Sequence, residues 1–358
     1  MKYHFLGPSG LRVSELCLGT MTFGEDWGWG ASKAESQAMF EYFVEAGGNF
    51  IDTANGYTNG TSERLVGEFI HSDRDRFVLA TKFTFPTVPG DPNSGGNHRK
   101  SMVRSLDASL KRLGTDFVDL YWVHAWDFST PVEEVMRGLD DLVKSGKVLY
   151  VGVSDTPAWV VSRANTLAEL RGWSPFVALQ IQYSLMDRTP ERDLLPMAHS
   201  LGLTVTPWGA LGRGLLTGKY LDAPPHPSAV TPGSSTRRTV ERRLDAGMYD
   251  VANERGAVIA RVVVDLAQGL GCSPSQLALA WLRSRRGSIV PILGARTLSQ
   301  LRDNVGCLGV NIPEGDLRKL DDATRVELGF PHEFLTDPER RKRLFGGTYD
   351  RLHQPRNP

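Results

Sequence analysis

Four side chains in this sequence make a chemical set. Asp52 closes the short apolar run Asn49–Ile51, and Tyr57 follows beyond a polar turn in "NFIDTANGY". Lys82 stands near the end of the apolar run "FVLATKF", and His124 ends "DLYWVH". A free phenol has a pKa near 10 and is a weak acid at neutral pH. A lysine ammonium beside it favours the phenolate and is expected to lower that pKa. A carboxylate next to the lysine keeps it charged and in place, and a histidine can hydrogen-bond a carbonyl oxygen and orient it. Together Asp52, Tyr57, Lys82 and His124 would form a general acid that protonates a developing alkoxide. Each has a plainer role when taken alone: a rim lysine, a packed histidine between Trp122 and Trp126, a turn-capping aspartate, a surface tyrosine. Their gathering at the ends of three consecutive apolar runs is what joins them.

The elements that must carry these residues alternate along the chain. "KYHFLG" and "LRVSEL" flank "GPSG" and read as a small hairpin. Then "ELCLGT", "NFIDTA", "FVLATKF", "FVDLYWVH", "VLYVGVS", "FVALQIQY", "LTVTPWGAL" and "GSIVPILGA" read as eight strands, each followed by a helical pattern. An added helix, "SPSQLALAWLRSR", precedes the eighth. Ser32–Glu35 and Ser273–Gln276 have the spacing of capping boxes, and Thr130, Pro131 and Glu133 that of a helix start. Several strands are nearly continuous apolar runs, as expected when both faces are buried. Eight β/α units predict a (β/α)8 barrel in one domain over residues 1–358, with its core at about 15–310 and a polar tail from about 329. A doubly wound sheet shares the alternation, but no G-x-G-x-x-G stands in register after an early strand.

In such barrels the active site lies at the C-terminal strand ends. Besides the four residues above, those ends carry Thr20 and Met21, Ser154 and Asp155, Gln180, Trp208, and Gly294 with Arg296.

The bulk numbers exclude several classes. The 358 residues are 41% hydrophobic, and 41 Lys+Arg balance 41 Asp+Glu to a formal net charge of +0. Nothing there points to nucleic acid or a membrane as partner. Cys17, Cys272 and Cys307 are far apart, so neither a disulfide framework nor a metal site is expected, and a reducing cytoplasm fits best. No apolar run approaches the roughly 20 residues needed to span a bilayer.

The combined motifs resemble the aldo-keto reductase family, in the branch of aryl-alcohol dehydrogenases and potassium-channel β subunits. They are "GLRVSELCLGTMTFG", "NFIDTANGYTNGTSERLVGE", "LATK", "SLKRLGTDFVDLYWVH", "GKVLYVGVSD", "LQIQYSL", "WGALGRGLLTGKY" and "PILGARTLSQLRDN", and the likeness runs from about Lys2 to about Ala323. The resemblance implies Tyr57 as proton donor, Lys82 and Asp52 as its tuning pair and His124 as the carbonyl-orienting residue. It implies a nicotinamide cofactor held without a Rossmann motif. Ser154, Asp155 and Gln180 would take the carboxamide side of the ring, which Trp208 would stack on; Thr20 and Met21 would line the same end. Gly209, Ala210, Leu211, Gly212 and Lys219 would hold the pyrophosphate. Gly294, Arg296, Gln300, Asp303 and Asn304 would surround the adenosine end. A guanidinium at Arg296, near a helix start, suits a 2′-phosphate and favours NADPH, with NADH use left open. Gln300 and Asp155 also have structural alternatives, as members of helix caps.

The loops predict the substrate class. Trp27, Trp29, Phe85, Trp126 and Phe128 would form an aromatic wall suited to an aromatic or bulky apolar carbonyl. The loop "TFPTVPGDPNSGGNH" reads as long and flexible. Residues of about 221–247 read as a mobile lid or a disordered insertion, whose Arg237, Arg238, Arg242 and Arg243 either close over phosphates or stay solvated. The expected activity is NADPH-dependent reduction of an aldehyde or ketone to an alcohol, reversible toward oxidation. A nucleotide-sensing binding subunit with little turnover is the alternative, and the oligomeric state is not legible.

Overall fold

The computed structural model describes residues 1–221 and 254–352. Strands β1 (Tyr3–Phe5) and β2 (Arg12–Ser14) pair antiparallel, with Tyr3 opposite Ser14. Their turn presses on the barrel floor. Gly7 has φ 57°, and a Cβ there would lie 2.0 Å from the Val177 carbonyl oxygen, so only glycine fits. Gly7 N donates to Thr204 Oγ1 at 2.7 Å. Leu6 and Val13 are fully buried against Phe50, Leu120 and Ala178.

The rest of the chain runs β3 (Cys17–Gly19), α1 (Lys33–Glu45), β4 (Phe50–Asp52), α2 (Thr61–Ile70), β5 (Val78–Phe83), α3 (Arg99–Leu113), β6 (Val118–Val123), α4 (Val132–Lys144), β7 (Val148–Ser154), α5 (Ala158–Arg171), β8 (Phe176–Gln182), α6 (Leu194–Ser200) and β9 (Thr204–Trp208). There follow α7 (Glu254–Leu270), α8 (Pro274–Arg283), β10 (Ile292–Gly294), α9 (Leu298–Val305), α10 (Glu314–Ala323), α11 (His332–Thr336) and α12 (Pro338–Leu344). Among the described residues, β3 to β10 form one eight-stranded sheet, all parallel, in the order β10-β3-β4-β5-β6-β7-β8-β9. A parallel bridge between Val205 and Ile289 brings its two edges together, and the sheet is a nearly closed (β/α)8 barrel. The expected hairpin, the helix added before the last strand and the barrel itself are all present, and the doubly wound alternative is excluded.

Alternation along each strand sorts the side chains between two cores. Phe50, Val78, Ala80, Leu120, Trp122 and Ala178 fill the barrel interior, while Ile51, Leu79, Phe83, Tyr121 and Val123 pack against the helices. Every residue of β5 and β6 is buried, which explains their continuous apolar runs. The interior is fitted closely. Trp122 pairs in register with Gly152, and a Cβ at Gly152 would stand 2.4 Å from the indole. The ring occupies the space that any other residue on β7 would claim.

Several local expectations differ from what is found. Ser273 and Gln276 make the full capping box. Ser32 caps α1, but Glu35 does not reach back: its carboxylate accepts from Leu298 N at 2.5 Å, tying α1 to α9. Thr130 is not a cap; its hydroxyl donates to Asp127 Oδ2 at 2.7 Å, and α4 starts after Pro131. The helix expected after β8 splits into a turn at Thr189–Glu191 and the short α6. The eighth strand is only Ile292–Gly294, because Pro291 has no N–H to give a ladder. The polar tail contains α11 and α12, the latter capped by the Asp337 side chain on Arg340 N at 2.9 Å. All but the first residue of the stretch expected as a lid lies outside the described residues, as do Arg237, Arg238, Arg242 and Arg243. Among the described residues no single helix is long and apolar enough to cross a membrane.

Candidate active site

The period-two alternation that points Phe50 inward also points Asp52 inward, and it does the same for Lys82 two residues beyond Ala80. Strand β4 is held at its end by a cluster of hydroxyls. Thr20 Oγ1 donates to the Asp52 carbonyl at 2.9 Å and lies 2.8 Å from Ser62 Oγ, which is itself 2.9 Å from Thr53 Oγ1. Ser62 shares the buried face of α2 with Leu65 and Val66, at helical spacings of three and four. A serine on an apolar face was the signal that could have marked it.

Lys82 is fully buried. Its ammonium has three N–H donors, and three acceptors surround it. It donates to Asp52 Oδ2, to the Thr53 carbonyl at 2.8 Å and to Tyr57 Oη at 3.1 Å. Burial alone pulls the lysine pKa down; Asp52 and the Tyr57 oxygen outweigh it, so the group lies above its ordinary value and stays charged. Gln180 Nε2 donates to the other carboxylate oxygen, Asp52 Oδ1, at 3.1 Å. Asp52 therefore bridges a lysine on β5 and a glutamine on β8.

Tyr57 is half-buried at the start of a left-handed turn in which Thr58 has φ 44° and Asn59 φ 53°. The Thr58 hydroxyl pins that turn by donating to the Phe23 carbonyl at 2.7 Å. The expectation of a lowered phenol pKa is corrected here. Burial raises Tyr57 above its ordinary value, and the opposing pull of Lys82 does not cancel it. The phenol keeps its proton at neutral pH. His124 is half-buried, its ring 6.0 Å from that of Tyr57. Burial, then the Lys82 charge, holds its pKa well below the ordinary value, so the imidazole is neutral. The structure thus brings Asp52, Tyr57, Lys82 and His124 to one end of the barrel.

The aromatic residues divide. Phe85 packs edge-on against His124 at 4.6 Å, and Trp27 and Trp29 lie 5.4 Å from each other. Trp126 leans into the core, whereas Phe128 stands out with φ 54° and 73% exposure. Asn55, which the sequence reading does not single out, is buried and donates from Nδ2 to the Phe85 carbonyl at 3.4 Å.

The residues carried over for a nicotinamide cofactor also lie at this end. Ser154 pairs in register with Gln180, and Gln182 with Trp208. Trp208 is half-buried and donates from its indole to Asp155 Oδ1 at 3.1 Å. Asp155 has φ 41° and does not cap α5. Thr20 is fully buried with its hydroxyl committed as described, whereas Met21 is exposed. After β9 the backbone coils: Gly209, Gly212, Arg213 and Gly214 all have positive φ, at 66°, 54°, 56° and 91°. Such turns gather amide groups around an anion, and small residues let it approach. Ala210 is buried and Leu211 partly so, while Lys219 is exposed beside the Tyr220 ring.

At the far end Gln300 Oε1 accepts from Arg296 N at 3.0 Å, while Gln300 N donates to Thr297 Oγ1 at 3.3 Å. Gly294 is exposed, and Asn304 Nδ2 donates to its carbonyl at 3.4 Å. Asp303 turns away, accepting from Ser273 Oγ at 2.9 Å and Gln276 Nε2 at 3.1 Å. The flat indole, the coiled glycine turn and the cation near the start of α9 fit a dinucleotide laid along the strand ends.

Comparison with known proteins agrees with this geometry. The model of the aldo/keto reductase family matches residues 15–325. The chain is 40% identical over 345 residues to norsolorinic acid reductase of Aspergillus flavus, covering 93% of this chain and 84% of that protein. It is 38% identical over 348 residues to norsolorinic acid reductase B of Dothistroma septosporum, covering 94% and 85%. With the NADP(+) aryl-alcohol dehydrogenase of Phanerodontia chrysosporium it shares 34% identity over 378 residues, covering 99% and 91%. On this match and on its barrel, the chain belongs to the aldo/keto reductase family.

Proposed function

We propose that the protein reduces an aldehyde or ketone to an alcohol with NADPH, Tyr57 giving the proton. The family supports an oxidoreductase acting on carbonyl groups. The observation that carries the finer reading is the saturation of Lys82. Its ammonium donates to Tyr57 Oη, so that oxygen accepts there and its own hydrogen is free for a third party. When bound, the nicotinamide supplies hydride to the carbonyl carbon. The neutral His124 imidazole orients the carbonyl oxygen. The O–H bond of Tyr57 breaks as its proton passes to that oxygen, and the phenolate left behind is stabilised by the Lys82 charge, itself held by Asp52. In the reverse direction the phenolate accepts the alcohol proton.

The substrate class follows from the rim. Phe85 is 50% exposed and Phe128 73%, so an apolar planar group covering them would remove costly surface from water. Two relatives are named for norsolorinic acid and for aryl alcohols, which supports an aromatic carbonyl here. Arg296 supports NADPH over NADH, through the 2′-phosphate.

The test is Tyr57→Phe. The phenyl ring keeps the packing and loses the proton, so turnover of an aromatic aldehyde should fall about 10²–10⁴-fold, with NADPH affinity within about threefold of wild type. A mutant that turns over at the wild-type rate overturns the mechanism. Tight NADPH binding with no turnover of any carbonyl by the wild type would favour a nucleotide-sensing role.

A further inference from the structure

The long loop after β5 is anchored at its far end. Gly96 N donates to the Thr84 carbonyl at 2.7 Å. Thr84 Oγ1 donates to Asn97 Oδ1 at 2.7 Å and accepts from His124 N at 3.3 Å. Asn97 then reaches the loop after β6: its Nδ2 donates to the Ala125 carbonyl at 3.0 Å and its backbone N to Asp127 Oδ2 at 2.8 Å. Asp127 gathers its own loop through Ser129 N and Thr130 N, both at 2.9 Å, and Thr130 Oγ1 at 2.7 Å. Asn97 is fully buried and Thr84 nearly so, so the bond between them forms away from water, where losing one partner is costly.

Two features show that this network holds the backbone where it would not otherwise rest. Thr84 has φ 104°, a region that a β-branched residue almost never adopts unless its surroundings impose it. Phe128 has φ 54°. Each strained position adjoins a rim aromatic or is one: Thr84 precedes Phe85, and Phe128 follows Asp127. The same network grips His124 N. A buried amide whose oxygen accepts from one loop and whose nitrogen donates to another thus ties the loop that carries Phe85 to the loop that carries Phe128.

We propose that Asn97, clasped between Thr84 and Asp127, is a positioning residue that determines specificity for flat aromatic carbonyls by fixing Phe85 against His124 and holding the loop that carries Phe128. The inference rests on the reductase reading above. Because the clasp acts on the rim and not on the acid, its loss weakens capture of a large substrate more than it slows the chemistry.

The experiment uses the full chain and compares wild type with Asn97→Ala, Thr84→Val and Thr84→Ser. Thr84→Val keeps shape and loses the hydroxyl; Thr84→Ser keeps the hydroxyl and covers the case in which Asn97→Ala folds poorly. NADPH oxidation is followed with 2-naphthaldehyde and with propanal, and hydrogen exchange is followed at residues 96–97 and 129–130. Asn97→Ala and Thr84→Val should raise KM for 2-naphthaldehyde by about tenfold, leave kcat within about threefold and change propanal kinetics by less than about threefold. Exchange at both loops should quicken, and Thr84→Ser should restore wild-type values in all three readouts. A variant with faster exchange but unchanged KM for 2-naphthaldehyde overturns the clasp's role, as does an equal loss on both aldehydes. A wild-type chain that binds NADPH and reduces neither aldehyde nor any other carbonyl sinks the reductase reading itself, and the clasp's role with it.

Discussion

Lys82 and Asp52 face each other inside the barrel, one from β5 and one from β4, and both are buried. A buried pair of this kind is costly to break and less costly to replace whole. Asp52→Ala should therefore destabilise the fold by about 3–5 kcal/mol, since it strands the ammonium. Asp52→Leu combined with Lys82→Met should recover most of that loss while leaving no turnover. Urea unfolding of the two variants, monitored by circular dichroism, checks the difference; equal stability of single and double variants would show that the lysine is not held as described.

The pH dependence should follow two directions. In the proposed mechanism Tyr57 must be protonated to give a proton, and it lies above its ordinary value of 10.0. The rate of reduction should fall as pH rises through that raised value, so the descending limb lies above pH 10. His124 lies well below its ordinary 6.5. Protonation of His124 should therefore leave no limb near that value, and kcat should be level across neutral pH. In Lys82→Met the phenolate loses its nearest positive charge; the alkaline limb should move upward and kcat should drop by about 10²–10⁴-fold. Burial lifts the Asp155 carboxyl, beside Trp208, to about 6, so a limb near pH 6.5 that persists in Asp155→Asn would contradict the neutral imidazole.

Gly152→Ala tests the packing of the barrel interior. Its Cβ would stand 2.4 Å from the fully buried Trp122 ring. Overpacking of this kind typically costs about 1–3 kcal/mol. A lowered urea midpoint with an unchanged slope is the expected result.

Under the proposed function Arg296 would carry the cofactor preference. Arg296→Ala should weaken NADPH binding by about 10–100-fold, the range for a charge-assisted contact of about 1.5–3 kcal/mol, with NADH affinity changed by less than about threefold. Fluorescence titration with each nucleotide measures both, and an equal loss for the two would assign Arg296 a structural role.

Much of this was legible because it repeats locally. A strand has a period of two, so once Phe50 and Ala80 are read as interior, Asp52 and Lys82 must face inward beside them. The barrel follows from the same beat. What escaped reading joins residues that no local pattern relates. Glu35 leaves its expected cap for Leu298 N, 263 positions away. Asn97 links two loops, and its neighbours in sequence announce only turns. The sign of the Tyr57 shift was misread for a related reason. The lysine beside the phenol can be inferred from order, but the loss of water that outweighs it depends on how the whole mouth closes.

The hairpin under the barrel has a consequence for access to Tyr57. Leu6, Gly7 and Val13 stopper the end opposite Tyr57, and Leu6, Val13, Leu120 and Trp122 are all fully buried there. The vessel is blind at its base. The side of the proposed acid that is open to water is therefore its rim, so a ligand seated there would also cover Tyr57.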